Sequence, residues 1–262
     1  MSNLLAIYPD WLLYSFIAVI GLLFGSFFTM VTWRMPRMVG MGLLAQIKAM
    51  SWSRSQCPSC QTDLTPKQLI PLFSWLFYRG RCANCGTRVP SRYFWIELFT
   101  GLMTLLPFVL FGFTEKALLY VLLMWFLVLI FVIDIEHQLI LDSLSLPLLA
   151  LGLTVNAIWG FVDIKSAAIG AAAGYLSLWL VFWGFKLATG KEGMGYGDFK
   201  LFAALGAWFG WQALSPILLI AALTGIFWGI LQMAVQGAQS RQFAFGPFLI
   251  LGALAILVLQ NY

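Results

Sequence analysis

The segment 193–200, with the sequence Gly-Met-Gly-Tyr-Gly-Asp-Phe-Lys, places a carboxylate beside three glycines at the edge of a long apolar run. An acid next to a membrane-like run is unfavourable, and so much glycine weakens a helix. Two unfavourable features in one segment indicate a functional site rather than a structural element. Which chemistry Asp198 could perform depends on whether the chain supplies a second ionisable group near it. The segment lacks the Gly-x-Gly-x-x-Gly spacing of a nucleotide-binding loop.

The composition predicts an all-α polytopic membrane protein. Of its 262 residues, 61% are hydrophobic and only 10% are charged, whereas soluble domains are near 45–50% apolar and about 25% charged. The net charge of +5 is explained by membrane topology, so we expect no nucleic acid partner.

About eight transmembrane helices are predicted, because about 20 helical residues cross a bilayer. They cover residues 11–33, 94–113, 117–133, 143–162, 166–185, two spans within 201–240 that are separated at Ser215-Pro216, and 242–261. An even number of spans puts both termini on the outer side. Gly170 and Gly174 have the spacing that permits close helix contact, although a merely glycine-rich membrane helix is the alternative.

The segment 34–93 is a soluble insert between the first two spans. It holds nine of the fifteen basic residues and all four cysteines. The positive-inside rule places it in the cytoplasm, and alternation of the spans brings the polar segments 134–142 and 186–200 to the same face. The predicted organisation is a first transmembrane helix (11–33), a cytoplasmic zinc-binding insert (34–93) and a seven-helix membrane catalytic domain (94–262).

The cysteines form two Cys-x-x-Cys pairs, Cys57 with Cys60 and Cys82 with Cys85, separated by 21 residues. This spacing is typical of a tetrahedral zinc site with four thiolates, which leaves no open position and is therefore structural. Reducing cytosol favours metal over disulfides. Two disulfides or unliganded thiols are the alternative.

Several carboxylates on the cytoplasmic face are candidate partners for Asp198, namely Asp134, Glu136, Asp142 and the nearby Glu192. Asp134 directly follows the apolar run that ends the third span, so its depth matches that of Asp198. For Asp142 we favour a helix cap. Two carboxylates in a low-dielectric pocket share one proton and titrate as a unit. One can then activate water while the other polarises a peptide carbonyl, as in aspartic proteases.

Two other functions stay open on the residues alone. A transporter could use Asp134 and Asp198 as a proton relay, with the zinc-stabilised insert as a regulator, and a zinc-held scaffold would need neither acid. The glycines argue against a relay, because Gly193, Gly195 and Gly197 leave room for another backbone, which a protease substrate requires.

Nearly the whole chain resembles the bacterial type IV prepilin peptidase family, the GxGD aspartic proteases that are leader peptidases and N-methyltransferases of pilus and type II secretion systems. The resemblance rests on Gly25-Ser26-Phe27 with Arg34-Met35-Pro36, the two cysteine pairs, Ile70-Pro71-Leu72-Phe73-Ser74-Trp75-Leu76, Arg79-Gly80-Arg81-Cys82, Ser91-Arg92-Tyr93 before Glu97, Asp134, and the segment from Gly190 to Leu201.

The resemblance implies that Asp134 and Asp198 are the catalytic pair of an enzyme in the bacterial inner membrane. Such an enzyme cuts the leader from a prepilin or pseudopilin at the cytoplasmic face and methylates the new N-terminus with S-adenosylmethionine. We expect Gly195, Gly197, Lys191 and Glu192 to contact the substrate, and the basic insert to contact anionic membrane lipids.

Overall fold

The computed structural model describes residues 8–41, 55–57, 59–191, 193–236 and 244–259. Within these ranges the chain is helical, and its only β contacts are two isolated bridges. The α-helices are α1 (Asp10–Arg34), α2 (Phe73–Phe77), α3 (Arg92–Phe111), α4 (Glu115–His137), α5 (Asp142–Trp159), α6 (Ile164–Thr189), α7 (Tyr196–Phe209), α8 (Leu214–Gln236) and α9 (Gly246–Leu259). Short 3-10 helices cover Met35–Met38, Pro66–Leu69 and Trp211–Ala213.

The predicted all-α membrane fold is confirmed, and the chain is a multi-pass membrane protein. Among the described residues six helices, namely α1, α3, α4, α5, α6 and α8, are long and apolar enough to cross a bilayer. The other two predicted spans correspond to α7 and α9, which have 14 residues each. At 1.5 Å per residue such a helix covers about 21 Å of a hydrocarbon core that is about 30 Å thick.

The predicted break at Ser215-Pro216 is wrong by a few residues. The chain turns at Gly210, whose φ of +79° is a left-handed value that glycine adopts without strain, and α8 begins at Leu214. Both Ser215 and Pro216 therefore lie in the first turn of α8, where proline costs little because its missing N–H has no helical partner.

The chain divides into two compact units, Met1–Leu129 and Ile130–Tyr262. In the first unit α1 packs along α3 at two glycines. A β-carbon on Gly21 would lie 2.8 Å from the Thr104 side chain, and one on Gly25 would lie 2.7 Å from the Cα of Glu97. Small residues therefore set the distance between the first two long helices of this unit.

In the second unit α7 is the central helix, and all residues from Leu201 to Phe209 are buried. The predicted close contact at Gly170 and Gly174 is confirmed. A β-carbon on Gly170 would overlap the carbonyl oxygen of Gly206, and one on Gly174 would lie 2.7 Å from the carbonyl oxygen of Phe202. The backbones of α6 and α7 thus touch along these glycines.

Polar side chains of the second unit hold α7 against α5. The side-chain amide of Asn156 donates to the carbonyl oxygens of Ala207 and Trp208, at 2.8 and 3.2 Å. In return, the indole N–H of Trp208 donates to the carbonyl of Leu148 at 2.9 Å. Buried hydrogen bonds of this kind fix the position of α7, and α7 carries Asp198 at its start.

Candidate active site and metal centre

Asp134 lies in the last turn of α4. The third helix was predicted to end at Ile133, but it continues to His137, so part of the predicted polar segment is helical. Polar residues do not stop a helix by themselves. The chain leaves the helix at Gln138, whose φ is +52° and whose N–H donates to the carbonyl of Asp134 at 2.8 Å. The Asp134 side chain is only 4% exposed.

Asp198 is the third residue of α7, and Gly195 is its N-cap. The backbone N–H of Gly195 donates to Oδ2 of Asp198 at 3.3 Å. A carboxylate in this first turn is favoured, because it accepts from otherwise unpaired N–H groups and faces the positive end of the helix dipole. The local sequence therefore places this acid at a helix start, although its side chain is buried to 6% exposure.

The two carboxylates lie close enough in the second unit to interact electrostatically. Oδ2 of Asp134 and Oδ1 of Asp198 are both buried and have no hydrogen-bond partner among the described residues. Two neighbouring carboxylates in a low-dielectric site cannot both ionise without a large cost, and sharing one proton removes the repulsion. The unpartnered oxygens are the atoms that could hold such a proton or a water molecule.

A third backbone element, Gly246 at the start of α9, completes the surroundings of Asp134. The N–H of Gly246 faces the Asp134 carboxylate, and a β-carbon at this position would overlap Oδ2. Sequence reasoning missed this residue. The available signal was the Gly246-Pro247 pair at the start of the last apolar run, since proline is common in the first turn of a helix.

The three glycines of the segment 193–200 have different surroundings. A β-carbon on Gly197 would lie 2.6 Å from the Cβ of Ile140, and one on Gly193 would lie 3.0 Å from the ring of Phe185. A β-carbon on Gly195 would meet nothing closer than 3.6 Å, at Oδ2 of Asp198. Packing within the chain thus accounts for glycine at 197, whereas open space beside an acid is found at 195.

The other predicted site residues give less geometric information. Lys191 is exposed, and its backbone N–H donates to Oγ1 of Thr189 at 3.3 Å. Glu192 lies outside the described residues. Glu136 is exposed, in contrast to the buried Asp134 two residues before it.

The predicted capping role of Asp142 is wrong. Leu141 is the N-cap of α5, and Asp142 lies in the first turn of that helix. Its carboxylate instead forms an ion pair with Nζ of Lys200 at 2.5 Å, and the Asp142 side chain is 59% exposed. Lys200, two residues after Asp198, thus holds the Asp142 carboxylate at the start of α7.

In the first unit the four cysteines come together as a candidate metal centre. Their Sγ atoms all lie within 4.8 Å of one another, and those of Cys57 and Cys85 are 3.8 Å apart. Thiolates around zinc at about 2.3 Å would be separated by about 3.8 Å along each edge of a tetrahedron. All four thiols are free, so the cluster could hold a metal such as zinc.

The two cysteine pairs have the same backbone geometry, as zinc knuckles do. The N–H of Cys57 donates to the carbonyl of Thr62, and the N–H of Cys82 donates to that of Thr87. The residue after each pair, Gln61 or Gly86, has a positive φ, as a tight turn at this position requires.

The chemistry of Cys60 also suits a metal ligand. Hydrogen bonds from the side chain and backbone of Thr62 lower the pKa of the Cys60 thiol to about 6. This favours the thiolate form that binds metal near neutral pH.

Comparisons with known proteins cover nearly the full length. The model of the Bacterial Peptidase A24 N-terminal domain matches residues 19–111, and that of the Type IV leader peptidase family matches residues 121–230. A protein of Aeromonas hydrophila named prepilin leader peptidase/N-methyltransferase is 44% identical over 94% of this chain and 91% of its own length. The chain belongs to the type IV leader peptidase family.

Other members of the family give the same result. Proteins with the same name from Pseudomonas aeruginosa and Neisseria gonorrhoeae are 42% and 39% identical, over 91% and 93% of this chain and 88% and 90% of their own lengths. No solved structure gives a significant match. The family favours an enzyme over the transporter and scaffold alternatives.

Proposed function

We propose that this protein is a membrane aspartic endopeptidase that cleaves the leader from type IV prepilins or pseudopilins and then methylates the new N-terminus. The peptidase and methyltransferase activities follow from membership of the family. The observation that supports the catalytic assignment is the pair of buried, electrostatically coupled carboxylates of Asp134 and Asp198, each with an unpartnered oxygen.

In this mechanism the pair holds one proton. The ionised carboxylate removes a proton from water, and the oxygen of that water attacks the scissile carbonyl carbon. The protonated carboxyl donates its hydrogen to the carbonyl oxygen, which becomes the hydroxyl of a tetrahedral intermediate. Collapse of the intermediate breaks the C–N bond while a proton passes to the departing amine. The pair is restored with one proton, and the products are the leader acid and a free N-terminal amine.

Backbone groups at the pair have defined tasks in this proposal. The N–H of Gly195 donates to Asp198, and that of Gly246 faces Asp134. Because a backbone N–H is fixed in position, each donor orients its acid. The open space beside Gly195 would receive the substrate backbone. Gly197, Lys191 and Glu192 are proposed as further substrate contacts on their sequence positions alone.

The charge distribution supports a cytoplasmic location for the insert and for the aspartates. Nine of fifteen basic residues lie in residues 34–93, and positive residues are retained on the cytoplasmic side. The apolar N-terminal helix of a prepilin would then lie in the bilayer, with its cleavage site at the cytoplasmic interface. Anionic lipids are the proposed partners of the basic insert.

The cofactors have separate roles. Zinc on Cys57, Cys60, Cys82 and Cys85 would be structural, because four thiolates leave no open position and the insert is too small to fold on its apolar core alone. S-adenosylmethionine would supply the methyl group for the second reaction. No side-chain cluster among the described residues is assigned to it.

The test is to incubate the purified protein with a prepilin and to measure the mass of the product, with and without S-adenosylmethionine. We expect loss of the leader in both samples and one added methyl group only with the methyl donor. An intact prepilin in both samples, with folded enzyme, would reject the proposed function.

A further inference from the structure

The short helix α2 in the insert presents an exposed apolar face. Phe73, Leu76 and Phe77 are 67%, 54% and 81% exposed. Residues three and four positions apart lie on the same side of a helix, so these three side chains form one surface. Soluble surfaces seldom leave several large apolar side chains together in water, and such a patch marks an interaction site.

The opposite face of α2 is packed, so the orientation of the exposed face is fixed. The ring of Trp75 lies 5.3 Å from that of Phe94, and its indole N–H donates to the carbonyl of Val89 at 3.3 Å. Gly80, with a φ of +62°, approaches this indole so closely that a β-carbon would lie 2.9 Å from the ring. The packing of Trp75 therefore keeps Phe73 and Phe77 on the exposed face of α2.

A buried hydrogen bond fixes where α2 begins along the length of the membrane helix α3. The N–H of Leu72, the residue before α2, donates to Oε2 of Glu97 at 2.8 Å. Glu97 is buried in α3, five residues after its first residue Arg92, which is about 8 Å into the span. Leu72 has a φ of +58°, a strained value for leucine that the hydrogen bond helps to maintain. Therefore α2 starts beside the membrane end of α3.

The residues around α2 suit the boundary between acyl chains and headgroups. Lys67, Arg79 and Arg81 flank the helix and are exposed. Trp95 in the first turn of α3 is 61% exposed, and Trp33 at the end of α1 is 50% exposed. Aromatic rings at the ends of spans and cations beside anionic phosphates are the two usual anchors at this depth.

We propose that α2 is a membrane-interface anchor of the insert. Phe73, Leu76 and Phe77 enter the acyl boundary of a bilayer that contains anionic lipid, while Lys67, Arg79 and Arg81 contact the phosphates. The anchor lies only a few residues before Cys82, so the metal cluster and the bilayer would together fix the insert. The inference rests on the proposed contact of the insert with anionic lipid and not on the roles of Asp134 and Asp198, and its test does not measure activity.

The test is photocrosslinking in the full-length protein, in nanodiscs with equal phosphatidylglycerol and phosphatidylcholine. The photoreactive p-benzoyl-L-phenylalanine replaces Phe77, which is a conservative change. In separate variants it replaces Phe16 in α1, as a lipid-facing positive control, and Ala83 in the second cysteine pair, as an exposed negative control. We expect lipid adducts at 77 within about threefold of those at 16 and about tenfold above those at 83. A yield at 77 as low as at 83, with 16 labelled, would overturn the proposal. When prepilin is added to the nanodiscs, an adduct at 77 to prepilin in place of lipid would overturn it as well.

The proposed contact between the basic side chains and the lipid phosphates is tested by a separate measurement. In the protein labelled at 77, Lys67→Gln with Arg79→Gln should lower the ratio of phosphatidylglycerol to phosphatidylcholine adducts severalfold, because cations near the membrane surface attract anionic lipid. The same pair of changes should leave this ratio unaltered in the protein labelled at 16. An unaltered ratio at 77 would contradict contact between these cations and the phosphates.

Discussion

The backbone of Gly246 lies against the carboxylate of Asp134, so that a β-carbon at position 246 would overlap Oδ2. The N–H of the same residue faces the carboxylate. The start of α9 therefore limits the positions that the Asp134 side chain can adopt, and it supplies a donor without a side chain. In the proposed site, where two carboxylates share a proton, such a constraint would keep the two acids correctly placed relative to each other.

Gly246→Ala should lower the rate of prepilin cleavage strongly. The added methyl group would displace the Asp134 carboxylate, and a misplacement of about 1 Å can reduce an enzymatic rate about 100-fold. We expect a loss of about 10-fold to 100-fold in kcat, measured with purified enzyme. The control is Gly229→Ala in α8, where a β-carbon would meet open space. Equal kcat values for the two variants would show that this contact does not orient Asp134.

Gly170→Ala should destabilise the second unit. The new β-carbon would overlap the carbonyl oxygen of Gly206, so α6 and α7 would have to separate, and overpacking of this kind costs about 1–3 kcal/mol. The measurement is the Tm in detergent. Gly184→Ala is the matched control, because it lies on the same helix and faces open space. A Tm for Gly170→Ala equal to that of the control would contradict the close contact.

The sequence predicted well what depends on local pattern. Long apolar runs specified the membrane helices, the spacing of the cysteines specified their cluster, and Gly170 with Gly174 specified a helix contact. Each of these signals arises from residues that are close in the chain or from a repeat that chemistry limits strongly.

The sequence did not predict features that arise only from packing. Gly246 lies more than 100 residues from Asp134, and nothing in either local pattern connects them. Asp142 looked like a helix cap, but Lys200 attracts it from another helix. The contact between Gly197 and Ile140 of the same chain was likewise not predicted. Tertiary contacts decided each case.

Cys82→Ser should remove bound zinc and destabilise the insert. Cys82 is buried in a cluster of four thiols, and three remaining thiolates bind the metal less tightly. We expect metal analysis of the purified protein to fall from one zinc per chain to well below one, with Ser59→Ala as an exposed control in the other knuckle. A full equivalent of zinc in Cys82→Ser would contradict the site.

The same variant separates the two activities. Because the proposed catalytic pair lies in the second unit, loss of zinc should spare prepilin cleavage more than N-methylation, as judged from product masses. Equal loss of both activities in a folded Cys82→Ser protein would indicate that the insert also contributes to the protease site.

Asp142→Asn should change prepilin cleavage by less than about threefold. Its ion pair with Lys200 is largely exposed, and such pairs contribute about 0–1 kcal/mol. The initial rate of cleavage is the measurement, with Glu136→Gln as a control for loss of an exposed acid. A loss as large as that expected for either buried aspartate would place Asp142 among the catalytic groups.

The central claim is that Asp134 and Asp198 act as one catalytic pair. The most direct measurement is the cleavage rate of a purified prepilin by Asp134→Asn and Asp198→Asn, each compared with Glu136→Gln at equal amounts of membrane-inserted protein. The pair works as a unit, so either change alone should lower the rate by at least about 1,000-fold, while Glu136→Gln stays near the unmodified rate. Cleavage by Asp198→Asn at a rate close to that of Glu136→Gln would contradict the account.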